Sequence, residues 1–511
     1  MKTTEHLFYL IKSLSKAEKR SFKLFSQQYS KNNQNNYTLL FDAIDKMHVY
    51  DHKALIKILS GKLNTKNIST LKVQLSELIL KSLRQNSASY SEKLKLRQNI
   101  DYIDILFEKG LYPQANKLLE KAYELAREYD DLIALDRLSV LEYNIAIKQS
   151  NKEALDHYIE VTFPEASQAR KTNDVLAEFE CLAVKMRLCL LESTSIGGSV
   201  TEQRLREIIE HPLMNVEIDK YPLQCQQDYH IIWGHYHYAF DHPEEVYRHR
   251  KRVLEIMNQT VVPTRIWLTH ARFLLIGLST YKMFKEFDTE LDLIMKQIRQ
   301  IPKQKQSASF LEELDHTLNN ININRDMDAG NYTNILSYID NLEIKYSDDS
   351  LQIDTNLRMV FYFNFMYTYV ALGNYKRALK WSNEILNNPE MREIRIDAHC
   401  YVRLMTICIH YGLGNYDLVK SLVKSAQRYI KKQERDTEIL NSILKFANNH
   451  FIEPYTADKK ACFDAEVKQL TEISKNEEGK IALEYFDFLS WLKSVYQPES
   501  MEEIERAKYT A

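Results

Sequence analysis

Five histidines crowd one short stretch of the chain, at His230, His235, His237, His242 and His249. Imidazoles hold a divalent metal only when several converge on one point. On a helix His230 and His237 share a face, as do His235 and His242, but an HxH pair at i, i+2 diverges. The expectation is therefore packing or surface histidines, and no metal site. The run Arg248-His249-Arg250-Lys251-Arg252 overlaps them. It reads either as a grip for phosphate or an acidic partner, or as a solvated helix face. No GxSxG, HExxH or GK[ST] motif occurs, and carboxylates are so common along the chain that no acid pair stands out. No catalytic residue and no cofactor is assigned, and the chain reads as a non-enzyme. The six cysteines (Cys181, Cys189, Cys225, Cys400, Cys408, Cys462) contain no CxxC pair, which fits reduced thiols in a reducing compartment.

Helices must position these side chains. Across 511 residues there are 11 glycines and 10 prolines, too few for hairpin-rich sandwiches, barrels or phosphate-cradling folds. Apolar residues instead recur at three- and four-residue spacing throughout. Leu118, Leu119, Ala122, Leu125 and Ala126 make one stripe, while Lys117, Glu120, Lys121 and Glu124 face water. Ser15-Lys16-Ala17-Glu18 is a capping-box pattern. Breaks fall at Gly110, Asn151, Gly197-Gly198, His242-Pro243, Gly330, Gly373 and Gly414, with the weakest seams at Gln85–Ser91 and Glu192–Thr201. The expected class is all-α. A basic helical domain occupies 1–90, a repeat body 91–435, and capping helices 436–511, near Glu438–Phe451, Lys459–Lys475 and Lys480–Tyr496.

One turn signature returns at a near-constant interval. Its copies are Gly110-Leu111-Tyr112-Pro113-Gln114-Ala115, Gly330-Asn331-Tyr332-Thr333-Asn334-Ile335, Gly373-Asn374-Tyr375-Lys376-Arg377-Ala378 and Gly414-Asn415-Tyr416-Asp417-Leu418-Val419. Glycine ends one helix, the tyrosine packs across the turn, and the last residue lets the next helix approach its partner closely. Degenerate copies lie at Asn151–Ala154, Asp241–Val246 and Lys285–Glu290. The resulting anchors are Ala115, Ala154, Leu205, Val246, Glu290, Ile335, Ala378 and Val419.

With Tyr362, Phe365, Tyr369, Gly373, Tyr375, Ala378 and Pro389, and the echo Trp233-Gly234…His237, the chain resembles the tetratricopeptide-repeat (TPR) family over about residues 95–430. Met366 stands where that family has a glycine, and the anchors are spaced more widely than its period. The resemblance implies a right-handed superhelical solenoid of antiparallel helix pairs whose concave side binds peptides or protein segments. Counting the family's groove positions from each turn gives Tyr143, His235, Tyr238, Arg272, Asn320, Asn324, Tyr367 and Tyr401. An asparagine amide matches a peptide backbone of any sequence, and tyrosine supplies area at small entropic cost. The competing reading of the tyrosines is packing between repeats. Cationic pairs that clamp a C-terminal carboxylate in some family members are missing at the counted positions, so that specificity is not expected.

Net charge of −2 hides an asymmetry: residues 1–100 hold 18 Lys+Arg against 7 Asp+Glu. Helices are expected near Thr4–Leu14, Lys16–Tyr29, Tyr37–Met47, His52–Leu59 and Ile68–Arg84. The last two loosely resemble a helix-turn-helix across Ser60–Asn67, with Asn67, Ser69, Thr70, Lys72 and Gln74 leading the recognition helix. A basic head suits DNA; a capping bundle docked on an acidic body explains the same charge. The leading functional expectation is a non-enzymatic protein- or peptide-binding scaffold. The alternatives are a transcription regulator with a DNA-binding head and peptide-sensing body, and a self-associating adaptor such as a homodimer. Leu7–Ile11 is too short for a signal-peptide core, and the longest apolar stretch, Met359–Leu372, includes Asn364 and is too short to span a bilayer. A cytoplasmic protein without membrane contact is expected.

Overall fold

A computed structural model describes residues 6–510 except 30–35, 48–49, 62, 64–66, 88–91, 194–198, 261–264, 302–307, 348–352, 393 and 434. Among the described residues there is no strand, and helices follow one another along the whole chain. None is long and apolar enough to cross a membrane. The chain divides into two compact units, Met1–Glu180 and Cys181–Ala511.

The first unit begins with five helices: α1 (His6–Ser13), α2 (Lys16–Ser26), α3 (Asn36–Asp45), α4 (His52–Leu59) and α5 (Ile68–Ser87). They enclose a core of their own, from Leu7 and Phe22 to Leu75 and Ile79. The expected capping box is present: Ser15 N–H donates to Glu18 Oε2 at 2.7 Å, and Glu18 N–H to Ser15 Oγ at 3.2 Å. Then come α6 (Glu92–Glu108), α7 (Tyr112–Glu128), α8 (Leu132–Gln149), α9 (Lys152–His157) and the long α10 (Phe163–Ser193), which runs across the unit boundary. The stripe read on α7 is its buried side, with Ala115, Leu119, Ala122 and Ala126 in the core.

The second unit continues with α11 (Ser199–Ile209), α12 (Leu223–Ala239), α13 (Pro243–Thr260), α14 (Arg265–Thr280), α15 (Phe284–Gln300), α16 (Ala308–Asp328) and α17 (Tyr332–Tyr346). It ends with α18 (Thr355–Ala371), α19 (Tyr375–Asn387), α20 (Ile396–Gly412), α21 (Tyr416–Lys432), α22 (Glu438–His450), α23 (Lys460–Ile473), α24 (Glu477–Tyr485), α25 (Phe488–Tyr496) and α26 (Met501–Thr510). Consecutive helices pack as pairs (α12 on α13, α18 on α19, α20 on α21), while α14, α16, α18 and α20 each pack on the next. This is the contact pattern of a helical repeat.

The turn signature has a common backbone basis. Gly110, Gly330, Gly373 and Gly414 all take positive φ, and so do Ser150, Asp241 and Lys282. Each ends its helix with paired reverse hydrogen bonds. At Gly373 the Asn374 N–H reaches Tyr369 O at 2.8 Å and the Gly373 N–H reaches Val370 O at 3.0 Å. At Lys282 the same pair joins Met283 N–H to Leu278 O and Lys282 N–H to Ser279 O, both at 2.8 Å. The left-handed residue satisfies carbonyls that the helix end would otherwise leave orphaned. Five positions later a residue enters the core: Ala115, Val246, Ile335, Ala378 and Val419 as expected, but Phe287 rather than Glu290 in the α14–α15 turn. After Ser150 the expected anchor Ala154 and its neighbour Leu155 are only half-buried, and α9 buries no residue. Glu290 is buried nonetheless, because Tyr247 Oη and Lys251 Nζ donate to its carboxylate at 2.8 and 2.7 Å. Leu205 is buried on α11, while Gly197 and Gly198 lie outside the described residues.

Two expectations about the C-terminal part change. Lys480–Tyr496 is two helices, not one: the chain turns at Phe486-Asp487, where the Asp487 carboxylate accepts from Ser490 N–H at 3.0 Å and starts α25. Residues after 435 also share a continuous hydrophobic core with α17–α21, from Ile323 through Trp381 and Cys408 to Trp491 and Met501. They close the wall of that core instead of sealing only its last layer.

Candidate binding site

Between α10, α12, α13 and α14 lies a cavity of about 350 Å³. Ala183, Val184, Ile231, Val253, Ile266 and Phe273 give it apolar walls, and its polar lining is Arg187, His230, His235, Arg250, Thr269 and His270. Among the described residues every ionisable side chain lining it is basic, and none is a carboxylate. One glycine makes room for the guanidinium: a Cβ on Gly277 would stand 2.3 Å from Arg250 Nη1, so any larger residue displaces it, whereas a Cβ on Gly234 would meet His249 and the Arg250 stem at an ordinary 3.6 Å. Arg250 is held by a hydrogen bond from Nη1 to Phe273 O at 2.7 Å and by the Tyr238 ring, whose centroid is 5.1 Å from its guanidinium carbon.

Burial dominates the electrostatics. It pushes His230, His235 and His270 down to about 4, with Arg252 acting further on His230, Arg250 and Arg187 on His235, and Arg187 on His270. The three imidazoles are therefore neutral at neutral pH. Burial also lowers Arg250 below its usual range, though a guanidinium remains charged. The cavity thus presents fixed positive charge, neutral imidazoles and apolar walls, an arrangement that favours an anionic group carried on an apolar stem.

The counted groove positions separate into three sets. His235, Tyr238 and Arg272 lie at or beside this cavity. Tyr238 is 41% exposed under Arg250, and the half-buried Arg272 stacks its guanidinium 5.8 Å from the Phe273 centroid. Tyr143 lies in the other unit, exposed on α8 and packed at a 44° tilt against Tyr158 with centroids 5.5 Å apart. The remaining four lie inside α16, α18 and α20. Asn320 is buried, accepts from Asn324 Nδ2 at 2.7 Å through its backbone carbonyl, and leaves its own Nδ2 without a partner.

Tyr367 and Tyr401 are buried for a reason local counting misses: the chain's own C-terminal helices occupy that side. Tyr401 stacks on Tyr485 with centroids 4.5 Å apart and planes 3° from parallel. Tyr367 receives the Asp487 N–H at 3.2 Å and donates to Glu505 Oε1 at 3.3 Å. Around them Tyr332 donates to Glu505, Thr333 N–H to Glu502 Oε1 at 3.0 Å, and a Cβ on Gly330 would meet Arg506 N at 3.0 Å. Here burial raises the carboxyls: Asp328 to about 6, Glu484 to about 7 and Glu505 to about 8, the latter two raised further by neighbouring aspartates.

In the N-terminal head, Asn67, Ser69, Thr70 and Gln74 are exposed on or just before α5. Lys72 points inward, against the Tyr50 ring and 3.3 Å from His52 Nδ1, and burial lowers its pKa. A buried ammonium is out of reach of a phosphate backbone. Residues 62 and 64–66 of the connecting segment lie outside the described residues. Helix α5 packs chiefly on α1, α2 and α3.

The histidines do diverge along α12, as expected: His235 enters the cavity and His237 does not. Sequence reasoning missed that α13 returns a second set of ligand-type groups to His237. Its side chain, Glu245 and His249 bring their ligand atoms within 4.8 Å of one another. The signal was present in the Glu245/His249 spacing of i, i+4, which places both on one helix face. No protein-family model, curated protein or solved structure matches the chain.

Proposed function

We propose that the chain is a non-catalytic helical-repeat scaffold that binds a protein or peptide segment, and that the α10–α14 cavity receives an acidic side chain of that segment. The observation that carries this reading is Arg250, set deep among apolar walls with a backbone carbonyl and an aromatic face for company and, among the described residues lining the cavity, no carboxylate. A charge in such surroundings gains from a bound counter-ion, and a guanidinium fork fits a carboxylate bidentately. Arg187, on the exposed rim, adds a second donor. The resemblance of the turns to TPR repeats supports a protein or peptide ligand over a small metabolite.

The test is selection of displayed random peptides on the full chain, with affinities then measured by fluorescence anisotropy. Selected peptides carry Asp or Glu beside an apolar residue, and Arg187→Glu weakens them about tenfold, or ~1.4 kcal/mol. Selection of neutral or basic peptides, or affinity indifferent to Arg187→Glu, overturns the reading.

A further inference from the structure

We propose that His237, Glu245 and His249 form a binding site for one divalent first-row transition ion of the zinc class, at the turn joining α12 to α13. The turn itself builds the site. Asp241, with φ at 55°, reverses the chain, so the last turn of α12 faces the first turns of α13, where Glu245 and His249 sit one helical turn apart. His249 Nε2 lies 3.8 Å from Glu245 Oε2. Two ligands of a tetrahedral zinc, each ~2.0–2.1 Å from the metal, stand roughly 3.4 Å apart, so the Glu245–His249 pair needs only a few tenths of an ångström to close on an ion, while the set as a whole, within 4.8 Å, contracts by about an ångström.

The surroundings match what a metal centre requires of its outer partners. His249 Nδ1 is 2.8 Å from His230 Nδ1, and His237 Nδ1 is 3.1 Å from His242 Nδ1. Each of the two candidate histidines therefore has one nitrogen engaged by a second imidazole, which orients the ring and leaves Nε2 for the ion. The Trp233 ring lies within 21° of parallel to His237 and within 20° of parallel to His249, at centroid distances of 5.4 and 6.1 Å. It fixes both ring planes.

A cation already stands at the carboxylate. Arg248 Nη2 is 2.5 Å from Glu245 Oε2 and 3.5 Å from His249 Nε2. The Arg248 side chain is 69% exposed, so a bound ion displaces it into water at little cost. Two imidazoles and one carboxylate suit zinc, nickel or cobalt; calcium and magnesium demand oxygen-rich shells. Three protein ligands leave a fourth position for water or a partner's side chain.

The test uses the full chain, stripped with a chelator, kept reduced, and titrated with Zn(II) against a colorimetric competitor. One equivalent binds; His237→Ala and Glu245→Gln each weaken it by more than tenfold. Removing the outer partner in His242→Ala costs roughly 10–100-fold. Arg248→Ala has the opposite sign and tightens binding, an outcome no loss of folding mimics; circular dichroism confirms helicity in every variant. Failure of stripped protein to retain zinc after dialysis, or zinc binding indifferent to all four substitutions, overturns the proposal. The latter result assigns the ion to other ligands, such as the cysteine thiolates.

Discussion

The α10–α14 cavity and the α18–α20 face answer the same problem in opposite ways. Both expose first-helix side chains that a repeat architecture leaves without neighbours. At α18 and α20 the chain returns and covers them, so Tyr367 and Tyr401 become core, and Glu505, taken inside with them, is pushed up to about 8 by burial. Among the described residues no C-terminal helix lines the α10–α14 cavity, and its ionisable groups are arginines and neutral histidines around open space. The difference teaches that position within a repeat does not decide whether a residue binds or packs. What decides is whether some distant part of the chain reaches it.

The largest expected effect tests the covered side. Tyr367→Ala leaves a cavity and strands Glu505, and costs about 3–5 kcal/mol in urea unfolding; a cost below 1 kcal/mol would put Tyr367 back in an open groove. The second test exploits pH. Glu505 titrates near 8 in the folded chain and near 4.3 when unfolded. The folded state thus holds a proton that the unfolded state has lost, so its stabilisation is full at low pH and is lost as pH rises through 8. Asp487 raises this group, Lys508 lowers it, and Tyr332 and Tyr367 donate to it. Between pH 6 and 8 the loss is about 2 kcal/mol from this group alone, and Glu505→Gln flattens the decline in thermal melts. An unchanged slope breaks the contrast.

The open side titrates the other way. His230, His235 and His270 sit near 4 when folded and near 6.5 when unfolded. Their contribution is present above 6.5 and lost as pH falls through 4. His270→Gln should recover about 1 kcal/mol of the loss between pH 6.5 and 5, read as a shallower acid limb. Smallest is Tyr143→Ala. An exposed ring with one tilted ring contact predicts a change within about 0.5 kcal/mol, and a cost as large as that of Tyr367→Ala would show that exposure does not separate the two classes.

Much of this architecture is legible in the residues. The glycine–aromatic turns at Gly110, Gly330, Gly373 and Gly414 mark their helix ends because glycine adopts the left-handed conformation cheaply. The equivalent turns at Ser150, Asp241 and Lys282 are harder to see, since a side chain there pays for the conformation and leaves no compositional trace; hence the slip from Phe287 to Glu290. The site is less legible than the fold. His235 reaches the cavity by simple counting, but Arg250 was one of five residues in a basic run, and only the Gly277 opening distinguishes it. Lys72 reads as a phosphate contact until Tyr50 and His52 are seen across from it. Burial of Tyr367 depends on a helix more than a hundred residues away, which no local periodicity encodes.

That distance bears on how the chain folds. Most pairs here close over short loops, as repeat modules do, and can form as they are made. The Tyr332–Glu505 contact spans 173 residues, and its loop-closure entropy is lost in one step. Assembly of the α17–α20 layers is thus expected in two stages, a rapid local pairing and a slower seating of α26, during which Tyr332, Tyr367 and their apolar neighbours stand open to chaperones.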